Sequence, residues 1–162
     1  MRFRLMIQIL VVVCLFAFVS SKAWSELVIK VTQGNDTPSI IAIPPMVLKG
    51  GQLSEDVSAI IEADLERSGF FKVIDRNNML AFPSADDDVY FRDWRLLGSE
   101  YLVVGNVTEI QRSKFELSFS LINVNSQKIL FRHGVRGAKD QLRDLAHLAS
   151  DKIYQAITGI RG

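Results

Sequence analysis

Two histidines, His133 and His147, are the side chains in this sequence best suited to acid–base or metal chemistry. A histidine titrates near neutral pH and its imidazole binds transition metals, so either could act as a base or a ligand. His133 shares a predicted strand face with Phe131 and Val135, which is typical of a partly packed or surface histidine. His147 lies on the polar side of a predicted helix, where we expect it to be solvated. The pattern favours a packed or surface position for His133 and a solvated one for His147 over metal or acid–base chemistry.

Acidic and glycine-rich segments offer the other possible chemistry. Residues 86–88 are three aspartates that could suggest calcium, but the positions after them supply no alternating oxygen ligands, which favours a solvated loop. The glycines at 50–51 lack the spacing of a phosphate or dinucleotide loop. An enzyme that uses Asp75, Arg76 or His133 is the weakest hypothesis, because no nucleophile, base and orienting partner can be grouped. We therefore expect neither catalysis nor a cofactor.

The N-terminus has the pattern of a secretory signal peptide. A basic start, Met1–Arg4, precedes an apolar stretch from Leu5 to Val19, and about 15 such residues fall short of the roughly 20 that a bilayer-spanning helix needs. Small residues before the predicted cut suit signal peptidase, so we expect a signal peptide over residues 1–25, cleaved between Ser25 and Glu26. The alternative, an uncleaved anchor, lacks the positive flank that should follow the apolar stretch.

The single cysteine, Cys14, lies inside that apolar stretch, and the valines before it do not suit lipoprotein processing. The mature chain, residues 26–162, then has no cysteine, which excludes disulfides, thiolate nucleophiles and the usual zinc sites. Three basic residues leave with the leader, so 19 Lys and Arg against 18 Asp and Glu become a net charge of −2. Because the basic residues form no stripe, we expect no nucleic-acid partner.

Apolar patterns predict the strands of the mature chain. Residues 27–31 alternate as in a strand and end in a loop at 34–38 that contains Gly, Asn, Asp and Pro. Residues 40–43 are a continuous apolar run, which is expected of a central strand covered on both faces. A short strand follows at 70–74. Three further strands separated by turns should pair antiparallel, at 101–110, 115–124 and 128–135.

Two long amphipathic helices and one short helix complete the pattern. Ser54 is the candidate N-cap of the first, which Gly69 should stop. Residues 90–97 repeat at helical spacing after the acidic loop. The last helix carries apolar residues from Leu142 to Ile157 and should end at Gly159. The fold class predicted is α/β, a mixed β-sheet with both long helices packed on one face, in one domain over residues 26–162.

The segment at the new N-terminus is the candidate for a protein-binding function. A β-rich stretch at a chain end, followed by a loop that could act as a hinge, could leave its own sheet and add to the sheet edge of another protein. Spacing alone favours the alternative that it is an ordinary first edge strand, because domain termini are often held by such strands.

Five segments together resemble the amino-terminal domain of the TolB family, periplasmic proteins of the Tol-Pal system. They cover nearly all of the mature chain and are specific as a set. The segments are residues 26–31, 41–45, 61–71, 97–107 and 147–162. The resemblance implies a mixed α/β domain that precedes a six-bladed β-propeller in the family, and a location in the periplasm, peripheral to the outer membrane and not inserted in it.

The resemblance also implies partners. In the family the N-terminal segment engages the C-terminal domain of TolA, and its equivalent here consists of Glu26, Leu27, Val28, Ile29, Lys30 and Val31. Pal binds the family's propeller, so Pal is expected only if the full-length protein carries one. The implied role is support of outer-membrane integrity and of constriction at cell division.

A second resemblance remains as an alternative. Residues 69–76, followed by 101–105, are also similar to periplasmic domains related to CsgG and LpoB. That family would make the chain a scaffold for outer-membrane assembly or for activation of a cell-wall synthase. Such domains usually follow a lipidated cysteine, which Cys14 does not resemble.

Overall fold

The computed structural model describes residues 37–161, which belong to one compact unit, Asn35–Gly162. The predicted signal peptide, its cleavage position and the strand at 27–31 lie outside the described residues. The strands are β1 (Ser39–Ala42), β2 (Phe71–Val73), β3 (Tyr101–Gln111), β4 (Lys114–Asn123) and β5 (Lys128–Ala138). The helices are α1 (Val57–Arg67), α2 (Phe91–Leu96) and α3 (Leu142–Thr158). Short 3₁₀ turns lie at Arg76–Asn78, Asp86–Asp88 and Lys139–Gln141.

The five strands form one mixed sheet in the order β2-β1-β3-β4-β5. β1 pairs parallel with β2 and with β3, whereas β3, β4 and β5 form the antiparallel meander expected from their turns. Ile41 and Ala42 of β1 are completely buried, and they belong to cores on opposite faces of the sheet. The prediction of a central strand covered on both faces is therefore confirmed.

The larger core lies between one face of the sheet and the two long helices. Alternate residues of β4 point into it, as their spacing predicts. The β4 residues are Phe115, Leu117, Phe119 and Leu121. They meet Ile61 and Leu65 of α1 and Ala149 and Ile153 of α3. Complete burial of one such large apolar side chain contributes about 1.5–3 kcal/mol. The predicted α/β class, with both long helices on one face, is confirmed.

The second face of the sheet is only partly covered. Between β2 and β3 the chain crosses this face and buries Trp94 of α2, together with Met79, against Leu102, Val104 and Ile122. Beyond this smaller core the same face carries half-buried polar residues. These are Asn106 and Thr108 of β3 and Glu116 and Ser118 of β4.

The start of α1 corrects one prediction. Ser54 does not cap the helix, which begins at Val57 with Asp56 as its N-cap. The Asp56 carboxylate accepts the Ala59 backbone N–H at 3.0 Å, because an acceptor helps only when it lies within reach of the first turn. The end is as predicted: Gly69 follows the cap residue with φ of 75°, a left-handed conformation that glycine adopts without strain.

Candidate functional site

The proposed partner-binding residues, Glu26–Val31, lie outside the described residues, and their role stays a prediction. The structure does show how the first described strand is held in the domain. The Ser39 backbone N–H donates to the Phe70 carbonyl at 2.9 Å, and its hydroxyl donates to a Glu100 carboxylate oxygen at 3.1 Å. Residue 39 is thereby held beside β2, the short edge strand.

The end of α3 lies at the same end of the domain. The Phe70 ring stands edge-on to Tyr154, with 5.5 Å between the ring centroids. Tyr154, Ile160 and Arg161 help to line a cavity of about 250 Å³. Phe70 and Ile160 are 43% and 49% exposed. Residues 39 and 161 therefore lie at one end of the domain, next to exposed apolar side chains.

A carboxylate, an imidazole and a hydroxyl meet between α1 and α3. Asp64 Oδ2 accepts a hydrogen bond from Ser150 Oγ at 2.7 Å and lies 2.6 Å from His147 Nδ1. In a hydrolase triad the imidazole lies between the hydroxyl and the carboxylate, so that it can take the hydroxyl proton. Here the carboxylate lies between the other two groups. The arrangement ties two helices together and does not activate Ser150.

The same contacts shift the titration of Asp64. Partial burial acts to raise its pKa, but hydrogen bonds from Ser150 and His147 outweigh burial and hold the pKa below its usual value of 3.8. The expectation that His147 is simply solvated is therefore incomplete. Its side chain is 47% exposed, yet it contacts a carboxylate on another helix.

Arg76 joins the turn after β2 to α1. Its Nη1 lies 2.6 Å from Asp56 Oδ2, and its Nε lies 2.8 Å from Glu62 Oε1. The hydrogen bond from Arg76 lowers the pKa of Asp56, whereas burial raises the pKa of Glu62 despite the same arginine. The two carboxylates in turn raise the pKa of Arg76, so its guanidinium stays charged. This ion-pair network fixes the turn against the helix.

The residues of the enzyme hypothesis are not brought together. Asp75 caps its own turn by accepting the Asn77 N–H at 2.8 Å, and Arg76 is bound to α1. His133 lies on β5, at the opposite edge of the sheet, where it is exposed and packs edge-on to Phe119. The interpretation of His133 as a surface histidine is confirmed.

The uncovered part of the second sheet face forms an open polar groove of about 460 Å³. Its lining includes Asn106 of β3, Ser118 and Ser120 of β4 and Gly134 of β5. Two ion pairs flank it. Arg132 Nε lies 2.7 Å from Asp86 Oδ2, and Arg136 Nε lies 2.9 Å from Glu116 Oε1.

The acidic run at 86–88 is a 3₁₀ turn at the border of this groove. Asp87 and Asp88 are exposed, as expected of a solvated loop. The expectation is wrong for Asp86, whose side chain is only 18% exposed because Arg132 pairs with it. Within residues 37–161, no three His, Cys, Asp or Glu side chains come close enough together to hold a metal ion.

In the part of the chain that the structure describes, no helix has both the length and the apolar character needed to cross a membrane.

The class of protein is a small mixed α/β domain, as the order of the strands and the packing of both long helices on one face show. Its polar clusters connect elements of the fold to one another. The LpoB C-terminal domain from Salmonella enterica shares this fold. It is 11% identical, with a TM-score of 0.52, over 64% of this chain and 87% of that chain. At this identity the likeness shows the fold alone, so the alternative resemblance extends no further than architecture.

The particular family follows from the sequence match. The family described as "TolB amino-terminal domain" matches residues 27–130, and this chain belongs to it. A crystal structure of TolB from Acinetobacter baumannii is 31% identical, with a TM-score of 0.66, over 78% of this chain and 30% of that chain.

Full-length relatives support the same assignment. "Tol-Pal system protein TolB" of Marinomonas sp. (strain MWYL1) is 44% identical over 147 residues, which is 90% of this chain and 34% of the relative. The protein of the same name in Hahella chejuensis is 38% identical over 150 residues, which is 91% of this chain and 35% of the relative. The chain thus spans about a third of the length of the curated relatives it matches.

Sequence reasoning missed two features of the site. One is the cluster of Asp64, His147 and Ser150, which joins residues 83 and 86 positions apart. The other is the pair of arginines beside the groove, of which Arg132 contacts an acid 46 positions away. In the sequence, the polar position of His147 on its helix is the one signal of the Asp64 cluster. The aspartate run at 86–88 is the one signal of the Arg132 ion pair.

Proposed function

We propose that this chain is a periplasmic, protein-binding component of the Tol-Pal system that engages the C-terminal domain of TolA through residues 26–31. Membership of the TolB amino-terminal domain family carries the proposal, because the family match begins at residue 27 and so includes all of this segment except Glu26. The periplasmic location rests on the family and on the signal-peptide pattern of residues 1–25.

Strand addition is the physical basis of the proposed contact. An extended segment that joins a sheet edge gains main-chain hydrogen bonds, which give affinity, while alternate side chains give specificity. Leu27, Ile29 and Val31 would share one side of such a strand, and Val28 and Lys30 the other. The first described strand begins close after this segment, at Ser39, whose backbone N–H is held by the Phe70 carbonyl beside β2.

The role proposed for the cell is support of outer-membrane integrity and of constriction during division. The protein would act peripherally to the outer membrane, without inserting in it and without binding nucleic acid. Contact with Pal is proposed only for a form of the protein that carries a β-propeller.

The test is capture by the immobilised TolA C-terminal domain. We expect the exported chain that starts at Glu26 to bind, and a chain that starts at Thr37 to lose at least about tenfold in affinity. Equal thermal unfolding of the two would show that the scaffold is intact. Undiminished capture of the shortened chain would refute the proposal.

A matched pair of substitutions sharpens this test. Ile29→Asp places a charge on the apolar side of the proposed strand and should weaken capture, because an unpaired charge is costly to bury. Lys30→Gln changes the other side conservatively and should leave capture nearly unchanged. Equal effects of the two would argue against binding as an added strand.

A further inference from the structure

Among residues 37–161, the sheet ends in two edge strands of very different length. β2 offers three residues and β5 offers eleven. Outside its ladder with β4, the β5 backbone within residues 37–161 is engaged at its last residue, Ala138, whose N–H donates to Gln141 Oε1 at 2.9 Å and which caps the following 3₁₀ turn. An edge with unpaired peptide groups is a template for another strand unless something protects it. β5 is therefore the surface on which the described fold can accept an extended partner.

Leaving His133 aside, the charged side chains of β5 itself are basic, and two of them pair with acids on other elements. The strand contains Lys128, Arg132 and Arg136 and no acid. Arg132 and Arg136 are four residues apart and so lie on the same face, about 13 Å from each other along the strand. Each uses Nε for an ion pair, with Asp86 and Glu116 respectively, and their side chains are 65% and 70% exposed.

The terminal nitrogens of both guanidinium groups remain available. Within residues 37–161, the Nη atoms of Arg132 and Arg136 make no hydrogen bond. An arginine that is hydrogen-bonded only through Nε can still bind a second carboxylate through its Nη atoms. Charge-assisted hydrogen bonds of this kind are stronger than those between neutral groups. Two such groups along one open edge fit two carboxylates with the same spacing.

Gly134, between the two arginines, opens the groove toward the strand edge. It pairs with Ser118 of β4, and a Cβ at this position would lie 2.8 Å from Glu116 Oε1. Gly134 has no side chain, and one could be placed there only by displacing Glu116. The space above Gly134 is therefore open to the side chain of a partner residue opposite it. Asn106 in that groove already donates to the Ser84 carbonyl and accepts from Thr108, so the Ser118 hydroxyl is the group that favours a polar side chain there.

We propose that the β5 edge accepts an extended segment of a partner protein with two acidic residues four positions apart, opposite Arg132 and Arg136, and a polar residue midway between them. The chain itself does not supply this pattern at its mature N-terminus, since Glu26 is followed four positions later by Lys30. A second copy of β5 would bring like charges together. This proposal is independent of the TolA contact of residues 26–31.

The test uses the exported chain labelled with ¹⁵N and an acetylated, amidated nonapeptide, Thr-Val-Glu-Val-Gln-Val-Glu-Val-Thr. We expect saturable shifts of the amide signals of residues 128–138. The same peptide with lysine in place of both glutamates should bind at least about tenfold more weakly, because it places like charges opposite the arginines. Removal of residues 26–36 should change neither result, which separates this test from that of TolA binding.

Substitutions complete the design. The double variant R132Q/R136Q should lose the preference for the glutamate peptide, and R132E/R136E should reverse it in favour of the lysine peptide. The glutamine variant keeps the test valid if the charge reversal disturbs folding through Asp86 and Glu116. Absence of shifts at millimolar peptide, equal binding of both peptides, shifts confined to other elements, or a dimer of the chain through β5 would each overturn the proposal.

Discussion

Asp64 on α1 and His147 on α3 are joined by a 2.6 Å hydrogen bond between residues 83 positions apart in the sequence. Ser150, which is almost completely buried, donates to the same carboxylate oxygen at 2.7 Å. The carboxylate is therefore the main polar tie between the two long helices, which otherwise meet through apolar side chains.

Removal of this tie should weaken the domain. We expect Asp64→Ala to lower the free energy of unfolding by about 1–3 kcal/mol, because it breaks hydrogen bonds and leaves a buried hydroxyl with only its own helix as partner. Urea unfolding measures the change. Arg67→Gln is the control: Arg67 also contacts Asp64 but is 73% exposed, so its loss should cost less than about 0.5 kcal/mol. Equal costs would contradict the assignment.

Stability should fall in acid because of Asp56 and Asp64. Both carboxyl groups have a pKa below 3.8 in the folded protein. The pKa of Asp56 is lowered chiefly by its hydrogen bond from Arg76. The pKa of Asp64 is lowered, despite burial, by hydrogen bonds from Ser150 and His147. A carboxyl with a depressed folded pKa contributes stability that is present above its unfolded pKa and is lost as pH falls through the folded value. We expect the urea midpoint to decline below about pH 4.

Glu62 should act in the opposite direction. Burial raises its pKa above 4.5, so its ionised form destabilises the fold and that penalty disappears as pH falls.

Substitution of Asp56 tests the acid decline directly. Asp56→Asn removes a carboxyl group with a lowered pKa and should flatten the decline in the urea midpoint, while Asp87→Asn, at an exposed position, should leave it unchanged. A decline of the same steepness in Asp56→Asn would contradict the role of Arg76.

Gly105 should not tolerate a side chain. A Cβ there would lie 2.6 Å from the Ser118 carbonyl oxygen and 3.0 Å from both Met46 Sδ and Phe119 Cβ. Since a backbone carbonyl in the β3–β4 ladder cannot move aside alone, we expect Gly105→Ala to cost about 1–3 kcal/mol. Gly51→Ala is the matched control, because its new Cβ would meet only the movable end of Leu48. Thermal unfolding of both variants distinguishes them.

Trp94 should respond differently to two substitutions. Its indole Nε1 is buried and has no hydrogen-bond partner among residues 37–161, while its ring forms part of the smaller core. Trp94→Phe removes the unpaired N–H and part of the packing together, so we expect a change within about 1 kcal/mol. Trp94→Ala leaves a cavity and should cost about 3–5 kcal/mol. Both variants lack the N–H, so the difference between their costs in urea unfolding measures the packing of the ring, and comparable costs would contradict its place in the smaller core.

Local patterns in the sequence were sufficient for the strands and helices of residues 37–161 and for the fold class. The alternation in β4 and the three- and four-residue spacing in α3 report which side of each element is buried, because that property depends on near neighbours along the chain. The same reasoning failed at Ser54, since several acceptors precede α1 and only the geometry of its first turn selects Asp56.

The site depended on the tertiary structure. Apolar periodicity does not show which strand ends a sheet, so the position of β5 at the edge of the five described strands became visible only through the strand order. The ion pairs of its two arginines likewise appear only in the packed structure. The pairs Asp64 with His147 and Arg132 with Asp86 join residues far apart in sequence, and each partner alone resembles an ordinary surface charge. Sequence encodes burial locally, whereas the convergence of polar groups is decided only when distant elements pack together.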